Sequence, residues 1–271
     1  MHILILGSRG TLGQALVDEF STKHKVTALD KAELDITNEA AVKEKLYSIK
    51  PEAVINAVAI NAVDDIETND ELFEFSKKVN GYAVGSLARA VKKNNAILVH
   101  ISTDYVFDGE NMNGYAEDAV PNPISRYAET KLLGEEELKK NTDTYYLVRI
   151  SRLFGKKGES EASKRSFVDT MLELSKTKTH LDIVNDQFSS PSFAPDVAQY
   201  IEQLFEEKKS YGIYHAANNG SCSWYEWAQE IFKLKKIQIY ISPVDAAHFK
   251  REAKAPGFCV FAKVAVLIYK L

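Results

Sequence analysis

The first half of the chain alternates short apolar runs with longer amphipathic stretches. His2–Leu6 is an apolar run rich in strand-forming residues, and Thr11–Phe20 places its apolar side chains at helical spacing. Further strands are predicted at Val26–Leu29, Ala53–Ala57, Ile97–Ile101 and Tyr145–Ile150, and further helices at Ala40–Ile49, Glu71–Lys93 and Ser125–Lys140. Strands that alternate with helices pair in parallel through right-handed crossovers. This half therefore predicts a Rossmann-like α/β fold with a doubly wound parallel sheet.

The alternation becomes less regular after Leu153. The segments predicted beyond it are helices at Ser166–Lys176, Asp196–Lys208 and Trp224–Phe232 and a loop at Asp186–Pro195. We expect an NAD(P)-binding domain over residues 1–153 and a smaller C-terminal substrate-binding lobe over residues 154–271, with interleaving of the two allowed. The charged stretch Lys156–Arg165 is expected to be a solvated loop.

Composition and charge narrow the classes of function. The 271 residues are 45% hydrophobic and 27% charged, which is typical of a soluble globular protein. The net charge of -4 offers no basic excess for a nucleic acid. The apolar tail segment Val264–Tyr269 is far shorter than the roughly 20 residues of a membrane span, and no secretory signal is visible. We expect a cytoplasmic protein that acts on a small molecule, without a nucleic-acid or membrane partner.

Cysteines and histidines do not form a metal-binding pattern. Cys222 and Cys259 are the only cysteines, and the histidines are scattered without ligand spacing. No metal site is predicted.

Three glycines mark the junction between the first strand and the first helix. Gly7 permits a tight turn, Gly10 lets the main chain approach a pyrophosphate, and Gly13 allows close contact between helix and strand. The N-terminus of the following helix offers free N–H groups and a partial positive charge to phosphates. A dinucleotide site is predicted here.

The residues around the end of the second strand leave the choice of dinucleotide open. Asp30 can accept hydrogen bonds from an adenosine ribose, which favours NADH. Arg9 and Lys31 lie close in sequence and can bind a 2′-phosphate, which favours NADPH. The predicted cofactor is therefore NADPH or NADH.

A second group of residues supplies reductive chemistry. Tyr127 and Lys131 are four residues apart on one face of a predicted helix, and Thr103 lies at the C-terminal end of a strand. A carbonyl that receives a hydride must also receive a proton, which a tyrosine phenol with a pKa of about 10 can give. We expect the Lys131 ammonium to lower that pKa and the Thr103 hydroxyl to hold the carbonyl oxygen.

These motifs resemble those of a known family. The glycine loop, STDYVFDG around Thr103 and YAETKLLGEEEL from Tyr127 are similar to the extended short-chain dehydrogenase/reductases, and within them to the dTDP-4-dehydrorhamnose reductase family. The similarity covers about residues 1–255 in order. It implies NAD(P)H-dependent reduction of the 4-keto group of a dTDP-6-deoxy-hexulose, from dTDP-4-dehydrorhamnose to dTDP-L-rhamnose, and it leaves a homodimer open.

The resemblance also assigns roles to individual residues. It implies that Tyr127 donates the proton, that Lys131 binds the nicotinamide ribose, and that Thr103 and Asp104 lie at the sugar. The implied cofactor contacts are Gly10, Thr11 and Leu12 at the pyrophosphate, Asp35 and Ile36 at the adenine, and Val58, Ala59 and Ile60 at the nicotinamide. Arg152 stands where the family usually has a tryptophan, so one contact to the sugar is altered.

Two further departures lie on the substrate side, and they keep other functions open. Asn61 follows Ile60 in a run that loses a tyrosine of the family, and Ala255–Cys259 replaces the usual R-P-x-x-S. The alternatives are another nucleotide-sugar reductase, epimerase or dehydratase of the superfamily, although Tyr105 after Asp104 argues against a dehydratase. A non-catalytic homologue, like the regulatory subunit of methionine adenosyltransferase, is an alternative of another class.

Overall fold

A computed structural model describes residues 1–160 and 163–262, so the apolar stretch Val264–Tyr269 lies outside the described residues. The strands are β1 (His2–Leu6), β2 (Lys25–Leu29), β3 (Ala53–Asn56), β4 (Ile97–Thr103), β5 (Tyr145–Ile150), β6 (Leu153–Phe154), β7 (His180–Val184), β8 (Phe188–Ser189), β9 (Ser192–Phe193), β10 (Gly212–His215), β11 (Cys222–Ser223), β12 (Tyr240–Val244) and β13 (Phe258–Cys259). The α-helices are α1 (Thr11–Phe20), α2 (Glu39–Ile49), α3 (Val63–Thr68), α4 (Asp70–Ser76), α5 (Ala83–Lys93), α6 (Arg126–Asn141), α7 (Phe167–Leu174), α8 (Ala194–Glu206) and α9 (Trp224–Leu234).

Six strands form the central sheet in the order β10-β5-β4-β3-β1-β2. Every pairing in this sheet is parallel, which confirms the predicted doubly wound α/β fold. The strands β2 and β3 lie on opposite sides of β1, so the connection from β2 to β3 crosses to the other half of the sheet. This leaves a switch point between β1 and β3. In sheets of this kind, ligands bind outside the carboxyl ends of the strands at such a switch point.

Two hydrophobic layers cover the sheet. One layer packs α1 and α8 against one face, with Leu16, Phe20 and Ile201 completely buried. The other packs α2 and α5 against the opposite face, with Leu46 and Leu87 completely buried. Because both faces are covered, the central strands are apolar in successive residues instead of alternating.

The long helix predicted at Glu71–Lys93 is interrupted. A π-helical turn, Lys77–Tyr82, joins α4 to α5, and Asn80 and Gly81 within it are buried. A Cβ at Gly134 of α6 would overlap the Asn80 carbonyl oxygen, so glycine there lets α6 approach the turn closely. Such turns are frequent at functional sites.

The smaller lobe is built from short strands that the sequence pattern did not predict. The strands β11, β8 and β13 form one small sheet, β12 pairs with β7, and β6 pairs with β9. The helices α7 and α9 pack with β7 and β12 around Met171 and Phe232. The chain interleaves, because α8 and β10 lie beyond residue 153 yet belong to the central sheet and its covering layer. None of the helices within the described residues is long and apolar enough to cross a membrane.

Candidate active site

The loops that follow β1 and β3 meet at the switch point of the sheet. Gly7 has a φ of +76°, and a Cβ on it would lie 3.1 Å from the backbone of Ala57 and Val58. A Cβ on Gly13 would overlap the Gly7 carbonyl oxygen, so the first helix can begin this close to the strand only with glycine there. The two glycines therefore have the geometric roles predicted for them.

The N-terminus of α1 fits a pyrophosphate. Its N-cap is Gly10, which provides no side-chain cap, and its first turn has no acidic residue. The backbone N–H groups of Thr11, Leu12 and Gly13 thus form the positive end of this helix. The Leu12 side chain is buried in the core, so Leu12 can contact a phosphate only through its backbone.

A segment of the loop between β6 and α7 lies on this glycine loop. Gly158 N donates to Thr11 Oγ1 over 3.2 Å, and Glu159 N donates to Arg9 O over 2.8 Å. Gly158 is buried, and a Cβ on it would lie 2.7 Å from Thr11 N. The charged side chains of Lys156–Arg165 are exposed in its described part, as expected for a solvated loop, while backbone hydrogen bonds around Gly158 attach it to the glycine loop.

Charged residues surround the predicted adenosine ribose position. The Arg9 guanidinium lies 3.7 Å from the Glu33 carboxylate, and Glu33 also accepts a hydrogen bond of 2.7 Å from Asp30 N. Lys31 lies over the Phe75 ring, 5.8 Å from its centroid. The second strand thus ends among charges of both signs, and the choice between a 2′-hydroxyl and a 2′-phosphate stays a prediction.

Of the two residues expected at the adenine, Asp35 makes local hydrogen bonds and Ile36 packs into the core. Asp35 Oδ1 accepts hydrogen bonds from Thr37 N and Thr37 Oγ1, which lower the pKa of Asp35. Ile36 is buried in the core layer formed by α2 and α5. Ile36 can therefore contact an adenine only through its backbone, because its side chain packs in the core.

The loop expected beside the nicotinamide is held by two asparagines that sequence reasoning missed. Asn80 Oδ1 accepts a hydrogen bond from Ile60 N, and Asn80 Nδ2 donates to Ile60 O. Asn56 Oδ1 accepts one from Val58 N. Between them, Ala59 is exposed. An asparagine within an apolar helical stretch was the signal that could have identified Asn80.

The predicted reactive side chains come together at the end of β4. Tyr127 and Lys131 lie in the first two turns of α6 and are both buried, at 9% and 2% exposed. Thr103 lies at the end of β4, and its hydroxyl lowers the pKa of the Tyr127 phenol. The Tyr105 ring packs edge-on against Tyr127 with centroids 5.8 Å apart. The start of α6 and the end of β4 thus place the predicted reactive side chains in one buried region.

The predicted effect of Lys131 on the phenol is wrong for this structure. Burial raises the pKa of Tyr127 well above its ordinary value, and the Thr103 hydroxyl only partly opposes that rise. Lys131 Nζ donates to Ile101 O over 2.8 Å, and burial lowers the pKa of Lys131 to about 8. Desolvation of the phenol is therefore the dominant effect on its pKa. A raised pKa keeps the phenol protonated at neutral pH, but it also makes the phenol a weaker acid than one whose pKa lies near the working pH.

Asp104 and Arg152 are the two further residues predicted at the sugar. The Asp104 carboxylate is buried and hydrogen-bonded to Thr103 and Ser151. Arg152 has a φ of +39°, and its guanidinium lies 3.7 Å from the centroid of the Trp224 ring. The Arg152 Nη atoms donate to Gln187 O and Cys222 O. Arg152 is thus anchored to the smaller lobe, and its position at the sugar stays a prediction.

A fully buried ion pair between Glu135 of α6 and Arg149 of β5 was not predicted. Arg149 Nη2 donates to Glu135 Oε2 over 2.7 Å, and Arg149 Nε donates to Glu135 Oε1 over 2.9 Å. Ser102 Oγ donates to the same carboxylate. The Glu135 charge also opposes the fall in the pKa of Lys131. Within residues 1–160 and 163–262, no group of three His, Cys, Asp or Glu side chains could hold a metal ion.

Comparisons with known proteins agree with this architecture. Residues 1–266 match the family model described as the RmlD substrate binding domain. A dTDP-4-dehydrorhamnose reductase of Aggregatibacter actinomycetemcomitans is 36% identical over 94% of this chain and 88% of its own length. A probable dTDP-4,6-dihydroxy-2-methyloxan-3-one 4-ketoreductase of Streptomyces antibioticus is also 36% identical, over 96% of this chain and 86% of its own length.

A solved structure has the same fold over nearly the whole length. The crystal structure of dTDP-4-dehydrorhamnose reductase from Bacillus anthracis, in complex with NADP, superposes with a TM-score of 0.90 at 34% identity. The match covers 96% of this chain and 89% of the other. This protein therefore belongs to the dTDP-4-dehydrorhamnose reductase family, whose members are NAD(P)H-dependent reductases of nucleotide sugars.

Proposed function

We propose that this protein reduces the 4-keto group of a dTDP-6-deoxy-hexulose, converting dTDP-4-dehydrorhamnose to dTDP-L-rhamnose. The observation that carries the proposal is the burial of Thr103, Tyr127 and Lys131 at the carboxyl end of β4, in a sheet whose first helix, α1, begins without a side-chain cap. The names of the relatives support a keto-sugar substrate, since two of them are named as reductases of dTDP-linked 4-keto sugars.

The chain's own residues supply orientation and the proton. The dinucleotide, when bound, supplies the hydride. The Tyr127 phenol, kept protonated by burial, donates its proton to the oxygen that the hydride leaves negative. Thr103 holds that oxygen, and Lys131 binds the nicotinamide ribose. Burial of all three side chains excludes water, which strengthens each polar interaction at the reacting carbonyl.

Both NADH and NADPH are proposed to serve as cofactors. Asp30 can bind a ribose 2′-hydroxyl, whereas Arg9 and Lys31 can bind a 2′-phosphate, and a relative was crystallised with NADP. We expect the kcat/KM values for the two dinucleotides to lie within about tenfold of each other, because one charge change at an exposed site is worth about 1 kcal/mol. A thousandfold preference for either dinucleotide, measured by steady-state kinetics, would contradict this.

The decisive assay follows NADPH oxidation on addition of dTDP-4-dehydrorhamnose. We expect turnover by the wild-type protein, and a loss of about 10²–10⁴-fold in kcat for Tyr127→Phe, the range typical of a missing general acid. Binding of NADPH, measured by fluorescence, should persist in the variant because the phenol proton is not needed to hold the dinucleotide.

Tyr145→Phe is the matched control, since Tyr145 begins β5 at the opposite end of the sheet. Its kcat should equal that of the wild type. Wild-type turnover by Tyr127→Phe would refute the role of the phenol. Tight NADPH binding without turnover on any 4-keto nucleotide sugar would instead favour the regulatory homologue considered above.

A further inference from the structure

The Thr103 hydroxyl donates its only proton within the protein. Thr103 Oγ1 donates to Asp104 Oδ1 over 3.1 Å and accepts a hydrogen bond of 3.2 Å from Tyr105 N. The other carboxylate oxygen, Asp104 Oδ2, accepts a hydrogen bond of 2.5 Å from Ser151 Oγ. Thr103, Asp104 and Ser151 are all buried and form one hydrogen-bonded chain.

This arrangement conflicts with the role of Thr103 in the proposed reaction. A hydroxyl has one proton and two acceptor positions. If Asp104 is ionised, the Thr103 proton points to the carboxylate, so Thr103 offers a carbonyl oxygen of the substrate only lone pairs. If Asp104 is protonated, its O–H can donate to Thr103 Oγ1, and the Thr103 proton is then free for the substrate. The direction of the hydrogen bond between Thr103 and Asp104 therefore decides whether the Thr103 hydroxyl can donate to the substrate carbonyl.

We propose that Asp104 is a positioning residue that acts in its protonated form and turns the Thr103 hydroxyl toward the substrate carbonyl. Ser151 completes the arrangement by donating to the carboxyl oxygen that does not carry the proton. This inference rests on the proposed function for its catalytic consequence, whereas the protonation of Asp104 is a property of the protein alone.

Burial favours the neutral carboxyl of Asp104, whereas the polar groups around it favour the charged form. Asp104 is 3% exposed, and the Arg152 charge acts on it from the β5–β6 turn. The other titratable groups that face it are the phenols of Tyr105 and Tyr127 and the thiol of Cys259, whose Sγ donates to Asp104 O. Burial raises the pKa of Asp104 to about 6, against the opposing effects of Ser151, Arg152 and Thr103.

The first test measures the protonation of Asp104 without substrate or cofactor. Wild-type protein carrying ¹³C-carboxyl aspartate should show one carboxyl resonance that titrates near pH 6, and Asp104→Asn should lack it. In Ser151→Ala the same resonance should titrate about one pH unit higher, because a hydrogen bond that stabilises the carboxylate is lost. If every aspartate titrates near its ordinary pKa, the proposal is overturned irrespective of activity.

The second test is the pH dependence of kcat/KM for NADPH-dependent reduction of dTDP-4-dehydrorhamnose. The wild-type value should fall by about fivefold or more from pH 6 to pH 8, as Asp104 ionises in the free enzyme. Asp104→Asn should lose less than about tenfold at pH 6, because its Nδ2–H donates to Thr103 as the protonated carboxyl does, and it should lack this descending limb. Asp104→Leu, similar in shape but without a donor, should lose about 10²-fold at every pH.

Ser151→Ala separates positioning from mere structural support. It removes one buried hydroxyl and should move the descending limb about one pH unit upward, whereas a structural defect would lower kcat/KM without moving the limb. Retention of the wild-type limb in Asp104→Asn, or no movement in Ser151→Ala, would overturn the proposal. Absence of turnover by the wild type would remove the proposed function instead, with the carboxyl titration still deciding the state of Asp104.

Discussion

At the scale of single residues, the charges near Arg9 are expected to set the preference between NADH and NADPH. The Arg9 and Glu33 side chains are 55% and 43% exposed, and their groups are 3.7 Å apart. An exposed pair of this kind contributes about 0–1 kcal/mol, so a 2′-phosphate can compete with Glu33 for Arg9. We therefore expect the Glu33 carboxylate to compete weakly with a 2′-phosphate for Arg9.

Glu33→Gln should shift the cofactor preference toward NADPH. The amide retains an acceptor for Asp30 N but no longer attracts Arg9, so we expect the ratio of kcat/KM for NADPH to that for NADH to rise about threefold to tenfold. Glu44→Gln, an exposed position on α2 away from this group, is the control and should leave the ratio unchanged. A ratio that moves toward NADH would contradict the role given to Arg9.

At the scale of elements, the start of α6 fixes the phenol. Ser125 caps this helix by accepting a hydrogen bond from Ala128 N, and Tyr127 lies within the same first turn. Ser166 caps α7 by accepting from Asp169 N and adds the reciprocal bond of a capping box, and α7 lies in the smaller lobe. Both caps are serines that accept from an N–H of the first turn, whereas only the cap of α6 precedes a side chain that is predicted to react.

Removing either cap should cost similar stability but different activity. We expect Ser125→Ala and Ser166→Ala each to lower the free energy of unfolding by about 1 kcal/mol, measured by urea titration. Fraying of the first turn of α6 should in addition lower kcat several-fold in Ser125→Ala. Equal kcat values for the two variants would show that the cap does not hold the phenol in place.

At the scale of the whole molecule, buried histidines tie folding to pH. His100 and His215 are both completely buried. Burial lowers the pKa of His100 well below its ordinary value and, with the nearby Arg149 charge, lowers the pKa of His215 to about 3. The unfolded chain binds these protons below about pH 6.5, whereas the folded protein does not, so stability is lost as the pH falls. Asp104 has the opposite effect on stability, because its pKa is raised in the folded protein. Between about pH 4 and pH 6 the folded protein binds this proton more tightly than the unfolded chain, so stability increases as the pH falls.

His215→Gln isolates one of these contributions. Between pH 6.5 and pH 4.5, the free energy of unfolding of the wild type should fall by about 2–3 kcal/mol more than that of the variant, since each pH unit is worth 1.36 kcal/mol per proton. Denaturant titrations at the two pH values measure this difference, in which the contributions of His100 and Asp104 cancel. Parallel pH dependences would mean that His215 is already charged in the folded protein.

The sequence by itself determined the features that depend on neighbours along the chain. The glycine spacing after β1 fixed a turn that only glycine can adopt, and the four-residue spacing of Tyr127 and Lys131 placed both on one helix face. Apolar runs alternating with amphipathic stretches specified the parallel sheet. Each signal works because backbone sterics and helical periodicity act over a few residues.

Only the tertiary structure decided the features that depend on contacts between distant segments. It brought β10 back to the central sheet, paired the two-residue strands of the smaller lobe, and laid Gly158 on the phosphate loop. It also buried the Tyr127 phenol, which raises the pKa of Tyr127 instead of lowering it as the sequence led us to expect. Register in short strands and desolvation of a buried group both depend on what surrounds them in space, and this information is not contained in any local pattern of residues.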